Sequence, residues 1–210
     1  MQLYGVRGWG SGIAEAMLCL GEQSYDFIDV EGFDQPGAAR DRLAAVNPLI
    51  QVPALVLADG TVMTETAAIA LWLIDLGAPL APPPNSSDRA LFYRLLVWLV
   101  ANVYPTFTYG DYPERWAPSA PNELVNATDR HRESLYRWLE DQVREPFVLG
   151  GSVSALDIYV TAMTSWRPRE AWFRENTPKL ARTADRTRAL PVLAEVMRLN
   201  GWDGATVGAP

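Results

Sequence analysis

The chain has one cysteine, one histidine and no basic surplus, and each scarcity removes a class of function. Cys19 alone can close no internal disulfide, and there is no Cys-x-x-Cys pair, so dithiol exchange lacks its reactive centre. His131 stands among Asp129, Arg130, Arg132 and Glu133. A lone imidazole on so polar a stretch is expected to face solvent, and it implies no metal site. Eighteen Lys and Arg against twenty-five Asp and Glu give a net charge of −7, which leaves no basic footprint for nucleic acid. The longest apolar stretches, such as 91–104, contain Arg94 and fall short of a bilayer span. Met1-Gln2-Leu3-Tyr4 lacks the charged start and apolar core of a leader. The expectation is a cytoplasmic protein with no membrane partner. Gly8-x-Gly10-x-Gly12 lacks dinucleotide spacing, and there is no phosphate loop.

What is present describes a folded chain: 210 residues, 49% hydrophobic, with sixteen prolines. Residues 3–6 and 25–30 read as strands, 12–20 as a helix and 37–46 as a weaker helical stretch. Ala54 to Ala58 and Thr61 to Met63 form a hairpin about the Asp59-Gly60 turn, followed by a helix over 66–76. Gly77-Ala78-Pro79-Leu80-Ala81-Pro82-Pro83-Pro84-Asn85-Ser86-Ser87 reads as a stiff, extended linker. Beyond it the pattern is helical: 89–104, ended by Pro105, then 121–144, a helix from Ser154, 178–189 and 191–199. Ser154 with Asp157 three residues on makes a capping box, with Val153 and Ile158 as its hydrophobic staple. The predicted organisation is an α/β thioredoxin-like domain over 1–77, a linker over 78–87 and an all-helical domain over 88–210.

The most informative stretch is Asn47-Pro48-Leu49-Ile50-Gln51-Val52-Pro53-Ala54-Leu55, followed by Asp59-Gly60-Thr61-Val62-Met63-Thr64-Glu65-Thr66-Ala67-Ala68-Ile69. Pro53 opens a strand, where a cis X-Pro bond would be tolerated, and Val52 then keeps a free N–H and C=O. The helix beginning near Thr66 offers unpaired N–H groups and a hydroxyl to a carboxylate, while Glu65 can accept from an ammonium. A ligand with an α-carboxylate and an α-amine matches one end, and its peptide portion can pair with Val52 strand-fashion. A capped helix after a hairpin would need only the Glu65-Thr66 half of this string.

This string resembles the corresponding stretch of cytosolic-type glutathione transferases, and the likeness extends to the capping box near Ser154. The resemblance implies that Val52, beside Pro53, binds the cysteinyl backbone of glutathione. It implies that Glu65 and Thr66 hold the γ-glutamyl end, with glutathione as co-substrate and no metal. Gln51 departs from the basic residue found in many relatives, so its contact to the glycyl carboxylate would be neutral. The resemblance also implies a homodimer, with the 66–76 and 89–104 helices as its surfaces.

Catalysis turns on Arg7-Gly8-Trp9-Gly10-Ser11-Gly12. A free thiol titrates near ~8.5, and a donor at a helix N-terminus lowers that value. Trp9, Gly10 and Ser11 compete for the position. Only Ser11 has a side-chain donor, and it could equally be the N-cap of the first helix. Tyr4 lies too early and is expected to pack. Cys19, two turns past Ser11, is expected to be a core thiol. Trp9 and Gly10, with Tyr104, Tyr109 and Trp166, are expected to line the electrophile pocket; Tyr104 to Trp116 should leave the helix and form its wall. The expected reaction is attack of glutathione thiolate on a small apolar electrophile. The alternatives are another glutathione-dependent activity (isomerase, dehalogenase, peroxidase) or a non-catalytic interaction protein of the same fold.

Overall fold

The computed structural model describes residues 1–204. The described chain forms two compact units, Met1–Ala81 with 185–204, and Pro82–Ala184.

In the first unit, β1 (Gln2–Gly5), α1 (Gly10–Leu20), β2 (Asp26–Asp29), α2 (Ala38–Ala44), β3 (Ala54–Val56), β4 (Val62–Thr64) and α3 (Thr66–Asp75) follow in order. The sheet runs β2-β1-β3-β4, with β1 parallel to β2 and antiparallel to β3, and β3 antiparallel to β4. Alternation along the strands assigns the two faces. Leu3 and Leu55 are partners across β1 and β3, both fully buried, and Gly5 on the same face lies against Ser11 of α1. Tyr4 and Ala54 point the other way, into a cluster with Val6, Val30, Phe33 and Leu43. Both faces are thus covered, as the thioredoxin-like arrangement requires. α10 (Pro178–Arg188) leads to a 3-10 turn at Pro191–Leu193 and α11 (Ala194–Leu199), which packs on α1.

The second unit contains α4 (Asp88–Trp98), a π-helical turn (Leu99–Val103), α5 (Tyr104–Asp111), α6 (Pro113–Trp116), α7 (Pro121–Glu140), α8 (Ala155–Ser165) and α9 (Glu170–Asn176). Here the sequence expectation is corrected: Pro105 does not end the helix. The preceding turn widens to the π form, accommodating the missing N–H and the ring, and helix resumes through Tyr104 and Tyr109. The joined run, Asp88–Asp111, is long and apolar enough to cross a membrane by length and composition, a test that core helices also pass. The capping box is present: the Ser154 N–H donates to Asp157 Oδ2 at 2.7 Å and the Val148 N–H to Asp157 Oδ1 at 2.7 Å. Burial pushes the Asp157 carboxyl up to about 6, against the pull of these donors. α6 and α9 are short helices absent from the sequence reading. Each starts beside an aromatic-rich stretch whose periodicity is too brief to declare it.

Candidate functional site at one end of the sheet

The register brings three segments to one rim. Tyr4 pairs with Ala54, and Ala54 with Thr64, in a row across β1, β3 and β4. Strand directions then place everything just past that row on the same side: Val6 to Gly10 after β1, Val52-Pro53 before β3, and Glu65-Thr66 after β4. The Val52-Pro53 bond is cis. Among the described residues the Val52 N–H and C=O have no hydrogen-bond partner, so a strand-like edge of one residue is open. Asn47, nearly buried, braces the loop behind it: Nδ2 donates to the Gln51 carbonyl at 2.8 Å and Oδ1 accepts from Leu49 N–H at 3.2 Å. Gln51 itself is exposed.

Glu65 is the exposed N-cap of α3, with φ 64, a conformation that costs a non-glycine residue energy and that turns the chain abruptly from strand into helix. Thr66, buried, is the first helical residue. The Ala67 and Ala68 N–H groups find no acceptor among the described residues, while Ile69 N–H bonds the Glu65 carbonyl at 3.0 Å. At the positive end of α3 the Ala67 and Ala68 N–H groups are therefore open.

The β1–α1 loop is held from several sides. Val6 N–H donates to Ser11 Oγ at 3.2 Å, Trp9 N–H to Val6 carbonyl at 3.4 Å, and Gly12 N–H to Trp9 carbonyl at 3.0 Å. Gly8 has φ +80, open to glycine without cost, and its N–H donates to Asn200 Oδ1 at 2.8 Å. Trp9 is the N-cap, 43% exposed, its ring edge-on to Phe33 at 5.8 Å. Ser11 lies in the first turn of α1 and is fully buried, with its hydroxyl facing β1. The N–H groups of Gly10 and Ser11 have no acceptor among the described residues.

Sequence reasoning placed Arg7 and Asn47 within its motifs without giving either a role, and passed over Glu15 and Asn200. Glu15, 1% exposed, pairs with Arg7 at 3.1 Å. A lone acid among Ile13, Ala14, Ala16 and Met17 was the available signal. Asn200 carried none, because its partners lie nearly a chain length away. Cys19 is half-buried, and its thiol donates to the Val192 carbonyl at 2.9 Å. Burial and the nearby Glu15 raise its pKa, the opposite of what a nucleophile needs. His131 is exposed. Among the described residues no group of three His, Cys, Asp or Glu is placed to hold a metal ion.

In the second unit Tyr104 meets both Tyr159 and Trp166 edge-on at 6.0 Å, and Phe107 meets Trp166 at 5.2 Å. Tyr109 pairs with exposed Trp116 at 4.9 Å. Tyr104 and Trp166 are thus neighbours, while Tyr109 belongs to a separate aromatic pair.

Comparison with known proteins bears on the family and the fold. Residues 15–76 match the family model for the glutathione S-transferase N-terminal domain. The chain is 50% identical over 201 residues to the uncharacterized GST-like protein YncG of Escherichia coli K12, covering 95% of this chain and 98% of that one. Among solved structures, a glutathione transferase homolog from Sulfitobacter with bound glutathione superposes with a TM-score of 0.79 at 22% identity, covering 94% of this chain and 96% of that one. A sphingomonad glutathione S-transferase complexed with glutathione gives 0.77 at 23% identity, covering 96% and 99%. The likeness over nearly its whole length to a GST-like protein, on this fold and with this rim, means that the chain belongs to the glutathione transferase superfamily.

Proposed function

We propose that the protein binds glutathione across this rim and activates its thiol for attack on a small apolar electrophile. The observation that carries the reading is the convergence of three open backbone sites: Val52, the Ala67 and Ala68 N–H groups of α3, and the Gly10 and Ser11 N–H groups of α1. Two strand spacings cover about 10 Å, and an extended tripeptide reaches about 11 Å, so one glutathione can touch all three. Its cysteinyl backbone pairs with Val52 N–H and C=O. Its γ-glutamyl carboxylate sits on the Ala67 and Ala68 N–H groups beside the Thr66 hydroxyl, and its ammonium faces Glu65. The exposed Gln51 side chain is within the loop that would meet the glycyl end, with a neutral contact only.

Burial of the Ser11 hydroxyl favours its amide over its side chain as thiolate donor. In this reading the N–H groups of Gly10 and Ser11, at the positive end of α1, hold the sulfur anion. A depression of ~2 units corresponds to ~2.7 kcal/mol and makes thiolate the major form at neutral pH. The thiol proton leaves to water, the sulfur lone pair forms the C–S bond, and the leaving group departs with its electron pair. For an electrophile that adds instead, the developing anion takes a proton from water. Trp9 and Gly10 flank the sulfur. Within the second unit, the Tyr104–Trp166 contact and the separate Tyr109–Trp116 pair are aromatic surfaces of the kind that suits a planar, apolar electrophile. Bound in this way, glutathione is co-substrate and the protein needs no metal; a cytoplasmic setting would supply it.

Isothermal titration with glutathione, then product analysis with an aryl halide, an epoxide, an organic hydroperoxide and a mixed disulfide, tests the proposal. Saturable binding with a thioether product supports conjugation. Turnover of the hydroperoxide alone would replace conjugation with peroxidase chemistry. Absence of binding would leave an interaction protein on a transferase fold.

A further inference from the structure

Behind the β1–α1 loop lies a buried polar cluster that touches no proposed ligand atom. Glu15 accepts from Arg7 Nη2 at 3.1 Å and Tyr25 hydroxyl at 3.3 Å through Oε1, and from Asn200 Nδ2 at 2.8 Å through Oε2. Asn200, 6% exposed, is the C-cap of α11. Its place is fixed by the chain reversal after it, where Gly201 N–H bonds the Arg198 carbonyl at 3.1 Å and Trp202 N–H the Met197 carbonyl at 2.8 Å. Its Nδ2 also donates to the Val196 carbonyl at 2.9 Å. With two acceptors facing the nitrogen, the amide has one orientation, and Oδ1 is left to accept Gly8 N–H at 2.8 Å. The clip demands space. A Cβ on Gly12 would fall 2.1 Å from Asn200 Oδ1 and 2.6 Å from the Trp202 ring, so glycine is required there for the asparagine to reach the loop.

We propose that Asn200, oriented by Glu15, is a positioning residue for thiolate formation: it pins Gly8 so that the Gly10 and Ser11 N–H groups point at the bound sulfur. The proposal rests on the glutathione reading above. Gly8 stands two residues before Gly10, and its N–H bond to Asn200 is the long-range tie, beside the local Trp9–Val6 and Val6–Ser11 bonds, on the turn that delivers Trp9 and Gly10 into α1. Without Asn200 that turn relaxes, and two dipoles aimed at one atom lose their common focus. The γ-glutamyl and Val52 contacts, on other segments, stay as they are.

The test compares wild type with Asn200→Ala and Glu15→Gln, the second keeping volume while offering Asn200 a donor as well as an acceptor. Thiolate absorbance of bound glutathione against pH should show the thiol pKa rising by about one unit in both variants, a tenfold loss of thiolate below the pKa. Affinity for S-methylglutathione, which has no thiol, should stay within about twofold of wild type, because the γ-glutamyl and Val52 contacts that hold it are unchanged. A merely structural role would weaken both ligands together and leave the pKa where it was; that result, or an unchanged pH–rate profile, overturns the proposal. Should Asn200→Ala fail to fold, Glu15→Gln decides by the same readout. If wild type binds no glutathione, the functional reading falls, and hydrogen exchange over residues 6–11 still judges the clip. Faster exchange in the variants supports it, and unchanged exchange refutes it.

Discussion

Ser11 shows how far a residue type can be read before its environment is known. As a serine just inside a helix it is both a cap and a donor to ligand, and only burial separates the two. Its hydroxyl accepts Val6 N–H at 3.2 Å. Ser11→Ala is therefore expected to cost about 1 kcal/mol or more of stability by orphaning that N–H, with little change in the pKa of bound glutathione. Denaturant unfolding beside a thiolate titration checks both halves. Thr66→Ala should act on binding, lowering glutathione affinity roughly ten- to a hundredfold, the worth of one hydrogen bond to a charged group. Calorimetry should find the fall in affinity larger than any fall in saturated rate. The place of Glu65 and Thr66 at the junction of β4 and α3 was legible because an Asp-Gly hairpin turn and a helix start are local signals. Asn200 was not, because an asparagine near a chain end acquires a role only from what it touches.

At the scale of elements, strands and helices of the first unit lie within a few residues of their expected bounds, since period-two alternation and an Asp-Gly turn are local signals. Pro105 is the instructive departure. Local chemistry says that proline stops a helix; packing of Phe92, Leu95, Leu96, Leu99 and Val103, all buried on one side, makes it better to widen one turn than to break. α8 carries its own pH response. Asp157, fully buried, has a folded pKa of about 6 against an ordinary 3.8. Folding thus favours its protonated form, and the associated stability is full below pH 3.8 and lost as pH rises through about 6. Relative to Asp157→Asn, wild type should lose up to ~3 kcal/mol between those limits. Chemical unfolding of both proteins across that interval measures it, and parallel curves would contradict the assignment.

At the scale of the whole molecule, exposed apolar side chains remain on the two helices that resemblance marks for self-association. Leu71 and Leu76 lie in and just after α3, and Tyr93 and Val97 lie on α4. We expect a homodimer in solution, and Val97→Glu should shift it toward monomer in sedimentation equilibrium, since a charge in an apolar contact is costly. A glutathione concentration one hundred times its Kd should add about 2.7 kcal/mol to unfolding free energy, read as a thermal shift. Sequence by itself determined the fold class, the strand and helix order of the first unit, the cis-proline edge and the helix start at Thr66. Each of these is written in neighbouring residues, where backbone stereochemistry and side-chain period act over a few positions. Tertiary structure alone decided that the Ser11 hydroxyl is turned inward, that Pro105 is absorbed, and that Asn200 grips Gly8. Those outcomes depend on which surfaces compete for the same buried volume, and residues distant along the chain meet only once it has folded.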